Sequence, residues 1–536
     1  MVEQNCGQSY QRGISKEEAL GNGICSNTSQ PFVHKFETPK HKYLFDVNTG
    51  RILRVDVVTW DIIEDVGVLT VEEAVEKYQS VYDKDRIRSA YMDVVHVQNH
   101  DGLLLIKYPD AITLPVTIKD IETAMGIGRR KLILCVTENC NFRCKYCLYG
   151  GKYNSWPVHS DKCMTWEIAH RAIKDFLDHG SYYENSSKRI RTISFYGGEP
   201  LIAFPLIKQC ISYVRRKVKS EIDFQITTNG SLLKDDVADY LATERVRICV
   251  SLDGPKHIHD INRRFLNGSG TWDTVKQNIE VFLKDHPEYK VNGRFSTNSV
   301  LGPSANVMEV NDFFTSPEIF PPAVKVNVDP MSPFGWNNST GLGTTSHIPH
   351  STYSLLSDFL GKLASGSVNK DPDNITWRMQ RSLFERSYLQ IHKRIVTDDC
   401  LTLSRELIGP RSMCIPGMHT LLVAASGSYY PCERVPSASG LEIGNVWSGM
   451  DIPRIYELMQ KFYEFNREQC SRCWCVVQCS VGCFANIVVG GVLSDEGKQV
   501  QCSTHRISHH HTLAEYCEIL ESTGEAFDYM DRITVE

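Results

Sequence analysis

Cys140-Asn-Phe-Arg-Cys144-Lys-Tyr-Cys147, which follows the apolar run Lys131-Leu-Ile-Leu-Cys-Val-Thr137, decides how the chain is read. The run predicts a buried strand and the cysteines a short loop just beyond it. Three thiolates can hold three irons of a [4Fe–4S] cube and leave the fourth iron open to a small molecule, which makes a cluster reactive rather than a pure electron carrier. Cys135 lies inside the strand and Cys163 lies beyond a Gly-rich, aromatic loop, so no fourth ligand is adjacent. With 19 cysteines in 536 residues, this spacing arises by chance in about one chain in forty. A zinc site or plain core cysteines are the competing readings of the loop alone.

Working outward, further short motifs each follow a predicted strand. Gly197-Gly198-Glu199-Pro200 follows 190–196, Thr227-Thr228-Asn229-Gly230 follows 224–226, and Ser251-Leu252-Asp253-Gly254-Pro255 follows 246–250; His259-Asp260-Ile261-Asn262-Arg263 comes next. Together with the Cys140-x3-Cys144-x2-Cys147 spacing and Tyr146 before the last thiol, this series resembles the radical S-adenosylmethionine (SAM) enzymes. The resemblance implies one [4Fe–4S] cluster on Cys140, Cys144 and Cys147, and SAM contacts from Tyr146, Gly197, Gly198, Glu199, Asn229, Ser251, Asp253 and Arg263. In the family the Gly-Gly-Glu loop meets the SAM amino group. A two-pronged arginine suits its carboxylate, and Arg263 competes for that role with Arg264. Tyr146 is expected near the adenine, its backbone serving more than its ring. Read without the resemblance, Gly197 and Gly198 let backbone approach a ligand or simply form a tight turn. Thr228 and Asn229 contact the cofactor or only shape their turn.

The alternation of strands (132–136, 190–196, 224–227, 246–252, 293–299, 324–328) with helices (166–179, 205–218, 234–243, 272–285) predicts a parallel α/β sheet. Six units match the family's partial (β/α)6 TIM-type barrel, with chemistry at the C-terminal strand ends. Before it, 1–30 reads as a polar arm and 31–125 as a small α+β domain: a hairpin around Asn48-Thr49-Gly50, a short helix at 59–66, a helix from Val71 capped by Thr70 and Glu73, and a helix over 83–97. It resembles the winged-helix-like recognition domain of enzymes that modify ribosomally made peptides, which implies that a leader peptide binds there as an added strand. The barrel is assigned 126–330 and bridging helices 331–399.

The region 400–510 carries the second cysteine block, and 511–536 reads as a final helix. The run Cys470-x2-Cys473-x5-Cys479-x3-Cys483 has a chance level of about one in a thousand. A structural zinc ribbon would also use a paired CxxC. The block resembles the SPASM extension with two auxiliary [4Fe–4S] clusters. The resemblance assigns Cys470, Cys473, Cys479 and Cys502 to the distal cluster. To the nearer one it assigns Cys414, Cys432 and Cys483, with Cys400 as the fourth ligand or an open iron in its place. Cys475 is an extra thiol, a bystander or a substitute ligand. Glu433 is a candidate base or peptide contact, or merely a polar residue after a ligand. His505, His509, His510 and His511 are read as a polar face at the start of a helix over 512–520, not as a metal tract.

A net charge of −6 argues against nucleic acid as the main partner. No apolar run reaches ~18 residues and no signal pattern opens the chain, so a cytoplasmic protein is expected, one whose clustered cysteines bind metal rather than form disulfides. The cofactors implied are three [4Fe–4S] clusters and SAM; the partners are a Cys-rich precursor peptide and an electron donor such as flavodoxin or ferredoxin. The family chemistry releases a 5′-deoxyadenosyl radical that removes a hydrogen atom from a C–H bond. The segment from Tyr149-Gly-Gly-Lys-Tyr153 through His159-Ser-Asp-Lys-Cys-Met164 resembles maturases of Cys-rich peptides. The expected function is thioether (sactionine-type) crosslinking of a precursor peptide. Carbon–carbon or carbon–oxygen crosslinking, epimerisation, or sulfatase-maturase-like oxidation of a protein Cys or Ser are the alternatives, and an iron–sulfur sensor is the non-enzymatic one.

Overall fold

The computed structural model describes residues 29–108, 114, 116–127, 129–151, 157–179, 190–218, 221–317, 320–321, 323–331, 351–371, 374–393, 414–435, 440–479, 481–483, 488–489 and 492–533. Cys6, Cys25, Cys400 and Tyr153 lie outside these residues.

The central element is one eight-stranded sheet. Its parallel core runs β4 (Lys131–Thr137), β5 (Arg191–Gly197), β6 (Ile222–Thr228), β7 (Arg247–Ser251), β8 (Phe295–Leu301) and β9 (Lys325–Pro330), paired in chain order. All six expected strands are present. Beside β4 lies β10 (Thr420–Val423), again parallel, and β11 (Tyr429–Tyr430) closes that edge antiparallel across the turn at Gly427. These two strands lie within the 400–510 region yet belong to the main sheet.

One sheet face packs under the helices Trp166–Asp178, Phe204–Lys217, Asp235–Thr243 and Trp272–Asp285. Leu132, Leu134, Val136, Ile193, Phe195, Phe224, Ile226, Ile248 and Val250 supply its core. The opposite face is small and polar toward β8: Gln225, Thr227, Ser251, Ser296 and Asn298 are only half-buried on it. The period-two alternation of strands separates these faces. Two helices not read from the sequence, Lys256–Asn262 and Val307–Thr315, follow β7 and β8.

Ahead of the sheet stands a smaller unit. The strands β1 (Val33–Glu37), β2 (Lys42–Asp46) and β3 (Arg51–Val55) form an antiparallel sheet in chain order. The β2–β3 hairpin was expected; β1 was not. Helices Val57–Ile62, Val71–Tyr78 and Lys84–His100 follow. The Thr70–Glu73 capping box forms in both directions. Asp83 caps the third helix with its side chain, so the chain breaks at residues 79–83 and restarts.

The largest departure lies at the C-terminal end. A single 28-residue helix, Asp495–Ser522, replaces the short one expected over 512–520. It contains Cys502 and all four histidines. It packs on β1 and on the helices Ser351–Ala364 and Arg386–His392.

Candidate active site at the C-terminal strand ends

The Cys140–Cys147 loop leaves the end of β4 and is gripped on three sides. On the β5 side, the Gly198 N–H donates to Thr137 O and the Glu199 N–H to Asn139 O, both at 2.8 Å. A Cβ on Gly198 would sit 2.1 Å from Asn139 O, and one on Gly197 would sit 2.1 Å from Thr137 O. The two glycines therefore let loop meet loop. Gly197 also needs its φ of +140°.

On the β6 side, Asn229 donates through Nδ2 to Asn141 Oδ1 at 2.8 Å and lies 3.9 Å from Cys140 Sγ. The Phe142 N–H donates to the same sulfur at 3.4 Å. On the β7 side, the Arg143 and Lys145 N–H groups donate to the carbonyls of Arg264 and Asn262. Phe142 and Phe265 meet edge to face with ring centroids 5.0 Å apart. The loop backbone is held before any ligand arrives.

Glu199 is fully buried. Its Oε1 accepts from the Thr228 hydroxyl (2.7 Å) and the Leu201 N–H (3.1 Å), and its Oε2 accepts from the Asn229 N–H (2.7 Å). The carboxylate ties the β5 and β6 ends together. Burial pushes its pKa up to about 7, opposed by those three bonds.

Asp253 and Arg263, expected to touch SAM separately, pair with each other: Arg263 Nε lies 3.0 Å from Asp253 Oδ2, and both are buried. The Tyr146 hydroxyl also donates to Asp253 Oδ2, and the Arg263 guanidinium lies 5.3 Å from the Tyr146 ring centre. The Tyr146 ring is thus an internal strut between Asp253 and Arg263. Val300 N–H donates to Asp253 Oδ1 at 3.0 Å. His259 Nδ1 accepts from the Asp253 N–H (3.2 Å), which leaves its Nε2–H for Thr271 Oγ1 (3.0 Å). Burial takes His259 down to about 4, so it stays neutral. Arg264 is surface-bound, donating to Gly268 O at 2.8 Å, so Arg263 is the interior arginine. Ser251 ends β7 half-buried, paired in register with Asn298.

His159 lies in the segment that resembles peptide maturases, but no spacing in the sequence links it to the cysteines. Its Nε2 lies 3.6 Å from Cys147 Sγ, and its Nδ1 lies 3.3 Å from Glu138 O. A carbonyl only accepts, so Nδ1 carries the proton and Nε2 of the neutral ring faces the thiol as acceptor. Beside it is a cavity of about 510 Å³, lined by Cys135, Glu138, Tyr149, Lys162, Ala424 and Tyr430 among others. Cys135 Sγ and the Tyr149 hydroxyl are 3.3 Å apart at its wall.

Burial raises the thiols of Cys140 and Cys144 to about 12 and raises Cys147 as well. Cys140 and Cys144 each sense Cys147 besides. Such thiols ionise readily only against strong positive charge, which cluster irons provide. The amide donors on Cys140 suit a metal-bound thiolate, so the residues present fit a cluster with three protein ligands. Among the described residues no three His, Cys, Asp or Glu are gathered to chelate one ion; a cube spreads its thiolates farther apart than a single ion does.

In the second cysteine block, Cys470 closes the helix Ile452–Ser471 and senses Cys473, Cys479 and Cys502. Two cations face this group: Lys498, buried and donating to Phe465 O at 3.1 Å, and Arg506. Cys475 is buried and donates to the Cys473 sulfur. That bond, with Arg506, brings Cys473 down to about 7. Burial raises Cys432 to about 11, helped by Glu433 and then Cys483; Cys414 is half-buried. Glu433 also acts on Tyr196 at the end of β5, whose phenol burial and then Glu433 push up. The histidines are not a solvated face: His505 and His509 lie parallel with centroids 5.7 Å apart, and burial takes them down to about 4 and about 3.

The Radical SAM superfamily model matches residues 134–315. Over 163 residues the chain is 28% identical to the cysteine-type anaerobic sulfatase-maturating enzyme of Clostridium novyi (strain NT), covering 30% of this chain and 42% of that protein. Over 191 residues it is 29% identical to the radical SAM cyclopropyl synthase TigE of Paramaledivibacter caminithermalis, covering 34% and 37%. The chain thus spans about two fifths of the length of these curated relatives. The solved structure of native anSMEcpe with bound AdoMet and Cp18Cys peptide shares the fold, with a TM-score of 0.51 at 19% identity, covering 75% of this chain and 99% of that one. No helix among the described residues is long and apolar enough to cross a membrane. With the three-thiol loop gripped at the C-terminal ends of a parallel sheet and this match, residues 134–315 carry a radical SAM domain.

Proposed function

We propose that the chain is a maturase that forms a bond between a Cys sulfur and a carbon in a ribosomally made precursor peptide. The observation that carries this reading is the second thiol group, Cys470, Cys473, Cys479 and Cys502, set beside the buried Lys498 and the half-buried Arg506 and packed against a separate three-stranded unit. Forming a thioether from a thiol and a C–H removes two hydrogens, so an electron sink is needed besides the hydrogen-abstracting centre. Cys432 and Cys483, with Cys414 and Cys400 completing the set, would hold a nearer cluster, and the other four a distal one. The β1–β3 unit would bind the leader of a Cys-rich peptide as an added strand, and β3 lies at one edge of its sheet, with Arg51 and Arg54 exposed. A small electron donor such as flavodoxin or ferredoxin would feed the clusters.

When bound, the first cluster and SAM supply a strong hydrogen-atom abstractor. The chain's residues hold and screen it. Arg263, fixed by Asp253 and Tyr146, offers its outer donors to a carboxylate. Glu199 and the glycine loop face an ammonium. The half-buried polar face of Gln225, Thr227, Ser251 and Asn298 receives the peptide. Glu433, whose charge acts on both Cys432 and Tyr196, would take the thiol proton.

The test is mass spectrometry of the reconstituted enzyme with SAM, a reductant and a Cys-rich precursor peptide. A loss of about two mass units per link, with matching loss of alkylatable thiols, is expected. The same loss with all thiols free would refute thioether formation in favour of carbon–carbon or carbon–oxygen crosslinking. The second reading, oxidation of a protein Cys or Ser, is favoured by the similarity to sulfatase-maturating enzymes. It predicts an aldehyde that a hydrazide probe would capture.

A further inference from the structure

The loop between Cys473 and Cys479 serves two neighbours. Its terminal thiols sense each other and Cys502. Its intervening side chains Trp474, Cys475, Val476 and Val477 are nearly inaccessible, buried with Phe32, Phe36, Tyr43 and Phe45 of the β1–β3 unit. Trp474 lies flat on His34 of β1, with ring centres 3.5 Å apart and planes 2° from parallel, and meets Phe45 edge on. The helix Asp495–Ser522 is shared in the same way. It carries Cys502 and Arg506 on the thiol side. Toward the sheet, His510 Nδ1 lies 2.9 Å from His34 Nε2, and Glu521 Oε1 accepts from the hydroxyls of Thr38 and Tyr43, each at 2.7 Å.

Between its thiols this loop holds only a three-residue 3-10 turn, Val476–Gln478. A segment with so little regular structure takes its shape from what its ends bind. Ligands bonded at 473 and 479 would fix the rings and methyls between them. Conversely, a seated sheet holds 474–477 in place and so presents both thiols in register.

We infer that seating of the N-terminal sheet and filling of the four-thiol site are one coupled equilibrium, with Trp474 and His34 as the positioning pair that links them. The inference rests on the reading that Cys470, Cys473, Cys479 and Cys502 hold an iron–sulfur cluster. Coupling between two sites is reciprocal, so loss of the cluster loosens the sheet and loosening the sheet weakens retention of the cluster. The unit that grips a peptide is thereby held in its working orientation only on a loaded enzyme.

The test uses the full-length chain, reconstituted anaerobically, as wild type, Cys479→Ala and His34→Ala. Iron and sulfide are counted per chain, and hydrogen exchange is followed at 33–37 and 42–46, with 191–197 as internal reference. In Cys479→Ala about four irons are lost, and protection of β1 and β2 falls about tenfold or more while 191–197 is unchanged. In His34→Ala, which keeps every thiol and is milder than removing Trp474, a chelator strips the distal iron several-fold faster. Loss of iron from Cys479→Ala with β1 and β2 protected as in wild type overturns the inference and leaves the cluster reading intact. A wild-type chain with only about four irons, unchanged in Cys479→Ala, overturns the cluster reading itself.

Discussion

Replacing Gly198 with alanine tests how the Cys140–Cys147 loop is held. The added Cβ would lie 2.1 Å from Asn139 O and 2.6 Å from its carbonyl carbon, where ordinary contact begins near 3.4 Å. Both obstacles are backbone, so no side chain can rotate away. Relief requires the two loops to part by more than about 1 Å. That breaks the Gly198 N–H to Thr137 O and Glu199 N–H to Asn139 O bonds. Each buried group left unpaired costs about 1–3 kcal/mol, so a loss of about 3–5 kcal/mol is expected. That is a large part of the ~5–15 kcal/mol by which a domain is stable. Anaerobic thermal denaturation and iron per chain after reconstitution are the measurements. Gly198→Ala should melt many degrees lower and fail to retain the irons held by Cys140, Cys144 and Cys147. A variant that melts within about 1 °C of wild type with full iron would refute the account.

Other substitutions probe other parts of the molecule. Gly361 lies in the helix Ser351–Ala364 with no atom near its missing Cβ, so Gly361→Ala should stabilise by about 0.5–1 kcal/mol in chemical denaturation. Thr70→Ala removes a capping box and should cost about 1 kcal/mol, read as faster exchange over 71–78. Asp253→Asn leaves Arg263 buried without its counter-charge and should cost about 3–5 kcal/mol and weaken SAM binding by calorimetry; an unchanged melt would remove the pair from the argument. Glu199 has a folded pKa raised from 4.5 to about 7. Its contribution is therefore complete below pH 4.5 and is lost as the pH rises through 7, about 3 kcal/mol in the SAM-free chain. Glu199→Gln should start less stable, since an amide nitrogen must face a backbone N–H, and should lack that slope between about pH 4.5 and 7.

Much of the barrel was legible because each strand is an apolar run and each helix presents one apolar stripe to it. Trp272–Asp285 was read to the residue. The strand β1 escaped because Val-His-Lys-Phe-Glu is covered on both faces, by the helices of its own unit and by Trp474 and the Asp495–Ser522 helix, so no clean alternation marks it. That long helix escaped for a similar reason: its histidines, serines and glutamines look like a surface stretch, yet His509 and Leu513 are buried. In the site, residue identity was readable and partnership was not. The glycines of Gly197-Gly198 mark a close approach, but only the fold says that the approaching group is residues 137–139. Asp253, Arg263 and Tyr146 were singled out one by one; their mutual pairing depends on strands far apart in sequence.

The pairing of β10 with β4 bears on the order of synthesis. The strand 131–137 leaves the ribosome early, but its partner 420–423 follows nearly three hundred residues later. At ~5–20 residues per second that interval is about 15–60 s. Through it, β4 has one open edge, and the wall that Ala424 and Tyr430 add to the cavity beside Glu138 and Tyr149 is missing. The Cys135 thiol at that wall is therefore open on one side until residues 420–430 arrive and shut it.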